Sequence, residues 1–356
     1  MKTGEAAMLQ TEMFEKSYVD HYKENKIGFE FPTVSDVTFL NGLSEGVHRW
    51  FRLTPSYSPE LVRYMVDELG CTKNKIVLDP FLGKGTTAIE LKKLGRSFIG
   101  VEINPLLKMV SEYALTWNIK VDNFEEHYQS TINNISKTLT KHKNSDIDKL
   151  VNYNIIKVPK IHDVFRWWNK EALKELLLIK NIIYQTKDKE YIKLYWIALC
   201  SSALDCANIH RNHPTISFDD NHNRDINVLH DLRENIEHII NDLNNLPKKT
   251  QWGTGEILLG DSTKLKDYLL DNKVDRVITS PPYPNRFSYV HTTRPQLFFM
   301  DIFNNPTQSA ELDCAAVGGT WGKATSILYN DIVEPKDSIK NILRPIIGEL
   351  RPLSKR

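Results

Sequence analysis

The chain has 356 residues, enough for one large or two ordinary domains, and its 41% hydrophobic and 26% charged content is that of an ordinary globular protein. A net charge of +1 gives no global case for nucleic acid and none against it, since an enzyme that grips nucleic acid in a cleft can keep its basic residues local. The four scattered cysteines form no CxxC pair, and neither a signal peptide nor an apolar run of membrane-spanning length is present. These features predict a soluble, cytoplasmic protein with reduced thiols, no metal and no membrane partner.

Residues 1–40 read as an N-terminal arm, polar with scattered aromatics such as Phe14, Tyr18 and Phe31. In residues 41–118, Ser58 as N-cap with Pro59 and Glu60 announces a helix whose buried face is Leu61, Val62, Met65, Val66 and Leu69. Ile76, Val77 and Leu78 then form an apolar run suited to a strand covered on both faces. The turn that follows is Asp79-Pro80-Phe81-Leu82-Gly83-Lys84-Gly85-Thr86-Thr87. Gly83 and Gly85 would let backbone N–H groups approach a ligand, Thr86 or Thr87 would cap the next helix, and Gly95 would stop it. Residues 97–101 form the next strand, with Glu102 at its carboxyl end, where an acidic side chain can grip ribose hydroxyls. A nucleoside-containing cofactor follows from that placement. Asn104-Pro105 opens a helix running to about Trp117.

Residues 119–250 read as a helical insertion. Leu173, Leu176, Leu177, Ile179 and Ile183 give one apolar face, Ile192, Tyr195, Trp196, Leu199 and Ala203 another, and Leu229, Leu232, Ile236, Ile239, Leu243 and Leu246 a seam close to heptad spacing. Its loop at 209–225 carries His210, Arg211, His213, His222 and Arg224, which either reach phosphates or base edges or belong to a polar loop held by local turns. Arg166-Trp167-Trp168 either stacks on nucleic acid or packs between elements. In residues 251–303 the strand pattern returns at 257–259, followed by Gly260-Asp261-Ser262, with Ser262 as a helix cap. A further strand runs to Thr279 and delivers Ser280-Pro281-Pro282-Tyr283 to the same sheet edge as Gly83 and Glu102. The two prolines remove two donors, so carbonyls there can face an amine. Asn285, Arg286 and Tyr289 follow next to this loop, where the arginine either holds a phosphate or the substrate strand or, with its neighbours, anchors the loop.

The combination of DPFLGKGTT, GVEINP and SPPY resembles the amino-methylating DNA methyltransferases of restriction–modification systems. The resemblance implies an α/β fold, a Rossmann-like methyltransferase sheet with the large helical insertion, and S-adenosyl-L-methionine as cofactor. It implies double-stranded DNA as substrate, with the target base flipped out of the duplex. Carried over by motif, Asp79, Pro80, Phe81, Gly83, Gly85, Thr86, Thr87, Glu102 and Asn104 bind the cofactor. Asp261 lies near its adenine, or caps a helix, or does both. The segment from Val47 looks like the loop and helix that close over the methionine end, the alternative for His48, Trp50 and Phe51 being plain packing. Ser280 and the carbonyl of Pro281, stiffened by Pro282, accept hydrogen bonds from the exocyclic amine, and Tyr283 stacks on the flipped base. Arg286, Arg211 and Arg224 contact DNA.

Serine before the prolines resembles the cytosine-N4 enzymes, whereas adenine-N6 enzymes usually show Asp or Asn. Methylation at cytosine carbon-5 would need a cysteine following a proline, and this chain has none. Cytosine-N4 methylation that protects host DNA from a cognate restriction enzyme is therefore expected. The alternatives are adenine-N6, RNA or protein-amide methylation, or an inactive DNA-binding fragment. The insertion precedes the third motif, an uncommon place for a target-recognition region, which is nonetheless its expected role. In the family the sheet continues past the catalytic strand, yet residues 304–356 read as a C-terminal extension without clear strands. The sheet is thus expected to be incomplete, the chain being either a fragment or one half of a split enzyme whose second polypeptide completes the fold.

Overall fold

The computed structural model describes residues 45–53, 56–210, 216–219, 225–269, 274–282 and 288–317. The N-terminal arm and seven residues singled out by the sequence, Tyr283, Asn285, Arg286, Arg211, His213, His222 and Arg224, lie outside the described residues, as do 318–356.

The centre is a four-stranded parallel sheet of β1 (Ile76–Asp79), β2 (Ser97–Glu102), β3 (Gly255–Leu259) and β4 (Arg276–Val277), in the order β3-β2-β1-β4. Apolar runs make β1 and β2, and Val77, Leu78, Ile99 and Val101 are all buried, as parallel strands covered on both faces must be. Because every strand points the same way, the residues that follow them gather at one edge. The chain winds outward from β1 through β2 to β3, then returns to place β4 on the other side of β1. That reversal is a topological switch point, and a crevice opens there.

Helix α1 (Pro59–Glu68) starts as its sequence requires, with the Ser58 hydroxyl accepting from the Glu60 N–H at 3.1 Å. Helix α2 (Thr86–Lys93) differs from expectation: its N-cap is Gly85, left-handed at φ 94°, and no threonine caps it. Thr86 and Thr87 are already inside the first turn and buried, and the Thr87 hydroxyl turns to Asp79. Gly95, at φ 71°, ends the helix region as predicted. Helix α3 (Pro105–Tyr113) has Asn104 as N-cap but stops short of Trp117. Two carbonyls beyond its end are taken by side chains, that of Ala114 by the Trp117 indole at 2.7 Å and that of Leu115 by Lys92 at 2.6 Å.

Six helices follow before β3: α4 (Val121–Lys141), α5 (Ile147–Asn152), α6 (Val164–Trp167), α7 (Lys170–Ile183), α8 (Lys189–Asp205) and α9 (Val228–Asn244). The three apolar faces read from the sequence lie on α7, α8 and α9 and are buried except at Ile192 and Leu229, which are half-buried, and at Leu246, which is half-buried and falls beyond the end of α9. They form one continuous core with α3, with the 3-10 turn Gly46–Trp50 and with α11 (Tyr289–Phe299), while α1 and α2 pack in a second cluster with Val77, Phe98 and Ile278. The short α10 (Leu265–Leu269) and α12 (Pro306–Ala315) complete the described elements. Trp167 and Trp168 are buried; the Trp168 indole donates to the Ala203 carbonyl at 2.7 Å, and the Arg166 guanidinium lies 4.1 Å over the Phe218 ring. Of the two readings of this triplet, packing is the one the described contacts support. Among the described residues no helix is long and apolar enough to cross a membrane.

Candidate active site

A cavity of about 540 Å³ occupies the carboxyl edge of the sheet. Four chain segments expected to share a site line it. After β1 come Pro80, Phe81, Gly83 and Thr86; after β2, Glu102 and Asn104; after β3, Asp261; after β4, Ser280, Pro281 and Pro282. Asp79, Gly85 and Thr87 stand behind this wall rather than in it. Leu53, Ser56 and Tyr57, from the loop ahead of α1 expected to close over the cofactor, also line it, as does Tyr289 from beyond the proline loop; Val290 and Leu312, Ala315, Ala316 and Val317 at the end of α12 were not foreseen. Tyr57 carried a signal, an aromatic two residues before a helix start beside the glycine turn. The α12 residues carried none, because only the tertiary fold returns them to the sheet edge.

Asp79 ends β1 and is fully enclosed. Its carboxylate accepts from the Phe81 N–H at 3.1 Å, from the Thr279 hydroxyl at 2.7 Å and from the Thr87 hydroxyl. The Tyr57 hydroxyl meets Thr87 in turn. Burial raises the pKa of Asp79, and these donors oppose that rise by favouring the ionised form. Burial, with the Asp79 charge nearby, also pushes the Tyr57 phenol well above its ordinary value, so it remains a donor.

Glu102 governs the glycine turn. Its Oε2 accepts from the Gly83 N–H at 2.7 Å and its Oε1 from the Asn104 N–H at 2.8 Å. Burial dominates these bonds and raises its pKa to about 7. The amides expected to face a ligand are therefore engaged within the protein, Gly83 on Glu102 and Gly85 on the Leu82 carbonyl at 3.0 Å. Glycine at 85 has a packing reason: a Cβ there would lie 2.8 Å from the Ser111 Cβ. With about four acceptor positions, the Glu102 carboxylate keeps room for a further hydroxyl donor beside its backbone amide donors.

Lys84, between the two glycines, is buried and donates to the carbonyls of His48 at 2.7 Å and Phe51 at 3.2 Å, and burial depresses its pKa. It thereby fixes the segment preceding Leu53 and Tyr57 to the turn. His48, Trp50 and Phe51 are themselves packed away from the cavity. The His48 imidazole, lowered by burial to about pKa 4, is neutral and meets Glu90 at 2.6 Å. Burial would raise the Glu90 carboxyl, but His48 and Lys93 hold it down at about 2. Asp261 caps the 3-10 turn Ser262–Lys264 through the Thr263 N–H at 2.9 Å, and it also faces the cavity. The cap is thus Asp261 rather than Ser262, whose hydroxyl instead reaches back to the Pro80 carbonyl.

Residues 8–112 match the model of the N6/N4 DNA methylase family. The Type II methyltransferase M.BsoBI of Geobacillus stearothermophilus is 24% identical over 346 residues, covering 92% of this chain and 67% of the relative. The Type II methyltransferase M.MvaI of Kocuria varians is 25% identical over 314 residues, 83% of this chain and 66% of the relative. Over a short stretch of 31 residues, 9% of this chain and 12% of the relative, identity to the Type II methyltransferase M1.MboII of Moraxella bovis reaches 64%. Over these stretches the chain is similar to amino-methylating DNA methyltransferases. It spans about two thirds of the length of the first two relatives, 67% and 66%. No solved structure matches it. An acidic residue and a polar, proline-stiffened loop line one cavity, and none of the four cysteines does.

Proposed function

We propose that the cavity binds S-adenosyl-L-methionine and that the enzyme methylates the exocyclic N4 amine of a flipped cytosine in a specific duplex sequence, protecting host DNA from a cognate restriction enzyme. One observation carries the reading: Glu102 and Ser280-Pro281-Pro282 line the same cavity. The residues present fit the cofactor. The volume of about 540 Å³ lies in the range of cofactor sites, Glu102 keeps room for a ribose hydroxyl, and Phe81, Ile103 and Leu107 supply apolar walls for a purine.

When bound, the cofactor supplies a methyl group activated by its sulfonium. The protein aims the acceptor. A cytosine amine is a poor nucleophile because its lone pair is delocalised into the ring. The Ser280 hydroxyl and the Pro281 carbonyl would accept its two N–H bonds, localising charge on nitrogen and directing the lone pair toward the methyl. Pro281 and Pro282 bring no N–H to compete for that carbonyl. Tyr283 would stack on the extruded base, and Arg286, Arg211 and Arg224 would contact the duplex. Residues 119–250 would read the target sequence. A second polypeptide would extend the sheet beside β4, which among the described residues pairs only with β1 and leaves Val277 52% exposed.

The test is transfer of a labelled methyl group to duplex DNA. Ser280→Ala should slow transfer about 100-fold while leaving cofactor affinity unchanged, since it removes one acceptor used at the reacting amine. Transfer by Ser280→Ala at the wild-type rate would remove the assignment.

A further inference from the structure

The cofactor turn and the catalytic loop meet through one buried carboxylate. Thr279, the residue immediately before Ser280, donates to Asp79 Oδ1 at 2.7 Å, beside the Phe81 N–H at 3.1 Å on the same oxygen. Thr87 donates to Asp79 Oδ2, and the Thr87 oxygen meets the hydroxyl of Tyr57, which lines the cavity. A carboxylate only accepts, so the direction of the chain is fixed: Tyr57 donates to Thr87, Thr87 to Asp79, and Thr279 to Asp79 from the other side. The backbone offers Ser280 little else. β4 is two residues long, Ile278 donates to the Leu78 carbonyl at 3.0 Å, and the prolines beyond have no N–H for a ladder.

We infer that Thr279 is a positioning residue, through which the Tyr57–Thr87–Asp79 chain transmits occupancy of the cofactor cavity to the Ser280-Pro281-Pro282 loop. The inference rests on the functional reading above and deepens it. A ligand against Tyr57 fixes its hydroxyl, which holds Thr87 and Asp79, and Asp79 then fixes the Thr279 hydroxyl and with it the carbonyl and side chain of the next residue. Loop and methyl donor are thereby brought into register only when both are present.

The experiment uses the full chain with Thr279→Val, which keeps shape and strand propensity but loses the donor, and Thr279→Ser, which restores it. Three quantities are read: affinity for S-adenosylmethionine by calorimetry, single-turnover methyl transfer to duplex DNA, and hydrogen exchange of residues 274–282 with and without cofactor. Wild type and Thr279→Ser should gain protection at 274–282 on cofactor binding. Thr279→Val should lose that gain and transfer methyl about 10- to 100-fold more slowly, with affinity within about threefold of wild type. Unchanged protection or rate in Thr279→Val, equal losses of rate and affinity, or failure of Thr279→Ser to restore the rate would each overturn the inference. If Thr279→Val does not fold, Tyr57→Phe must show the same loss of protection, and a wild-type response from it overturns the inference. Absence of cofactor binding by the wild-type chain would sink the functional reading and this inference together, whereas binding with an unaffected variant sinks only the inference.

Discussion

Glu102 faces two demands at once, holding the glycine turn and presenting a charge to the cavity. Its pKa, raised by burial to about 7 from an ordinary 4.5, means that the folded chain keeps a proton the unfolded chain has lost across that window. Its contribution to stability therefore falls as pH rises from 4.5 to about 7, and the cost is fully present above 7. A ribose diol donating to the carboxylate favours the ionised form and offsets that cost. Affinity for S-adenosylmethionine should accordingly rise between about pH 6 and about pH 8, and Glu102→Gln should flatten the dependence. Equilibrium dialysis across that range checks it, and a wild-type profile already flat would contradict the role. At this scale the sequence was informative about which residues reach the cavity but less so about how they are held. Glu102 and Gly83 were expected to meet a ligand separately, and instead bond each other at 2.7 Å. Such a contact, formed across 19 residues between the ends of two strands, has no local signature.

The elements around the site are held by contacts of unequal cost. The two glycines of the turn differ although both have positive φ. A Cβ at Gly83 meets nothing within 4 Å, whereas one at Gly85 lies 2.8 Å from Ser111. Gly83→Ala should thus cost about 1 kcal/mol of backbone strain alone. Gly85→Ala should cost about 3 kcal/mol, with α2 pushed from α3. Denaturant titration of the two variants gives the order, and equal losses would refute it. A second brace joins the helices to the cavity wall. Asp242 on α9 accepts from Arg49 Nε at 3.0 Å, from Arg49 Nη2 at 2.5 Å and from the Trp50 indole at 2.8 Å. Asp242→Ala leaves those donors unpaired and should destabilise the protein by about 3 kcal/mol, measured the same way. Helix starts were legible because Ser58 and Asn104 cap them by local hydrogen bonds. The start of α2 was misread because a left-handed Gly85 opens it, so its threonines were free to turn inward.

For the whole molecule, four sequence motifs separated by up to 200 residues share one cavity because all four strands run parallel and end at one edge. That much follows from strand direction alone, which explains why the fold class and the sheet-edge residues are legible in the sequence. The wall formed by the end of α12 is not, since it reaches the cavity only after the helices have packed on α3 and α11 into one core. The most direct test of amino methylation at this cavity is nucleoside mass spectrometry of duplex DNA incubated with the full chain and methyl-deuterated S-adenosylmethionine. The expected product is N4-methylcytosine carrying the deuterated methyl, lost in Ser280→Ala. A label on cytosine carbon-5, or no labelled nucleoside from a chain that binds the cofactor, would contradict the account.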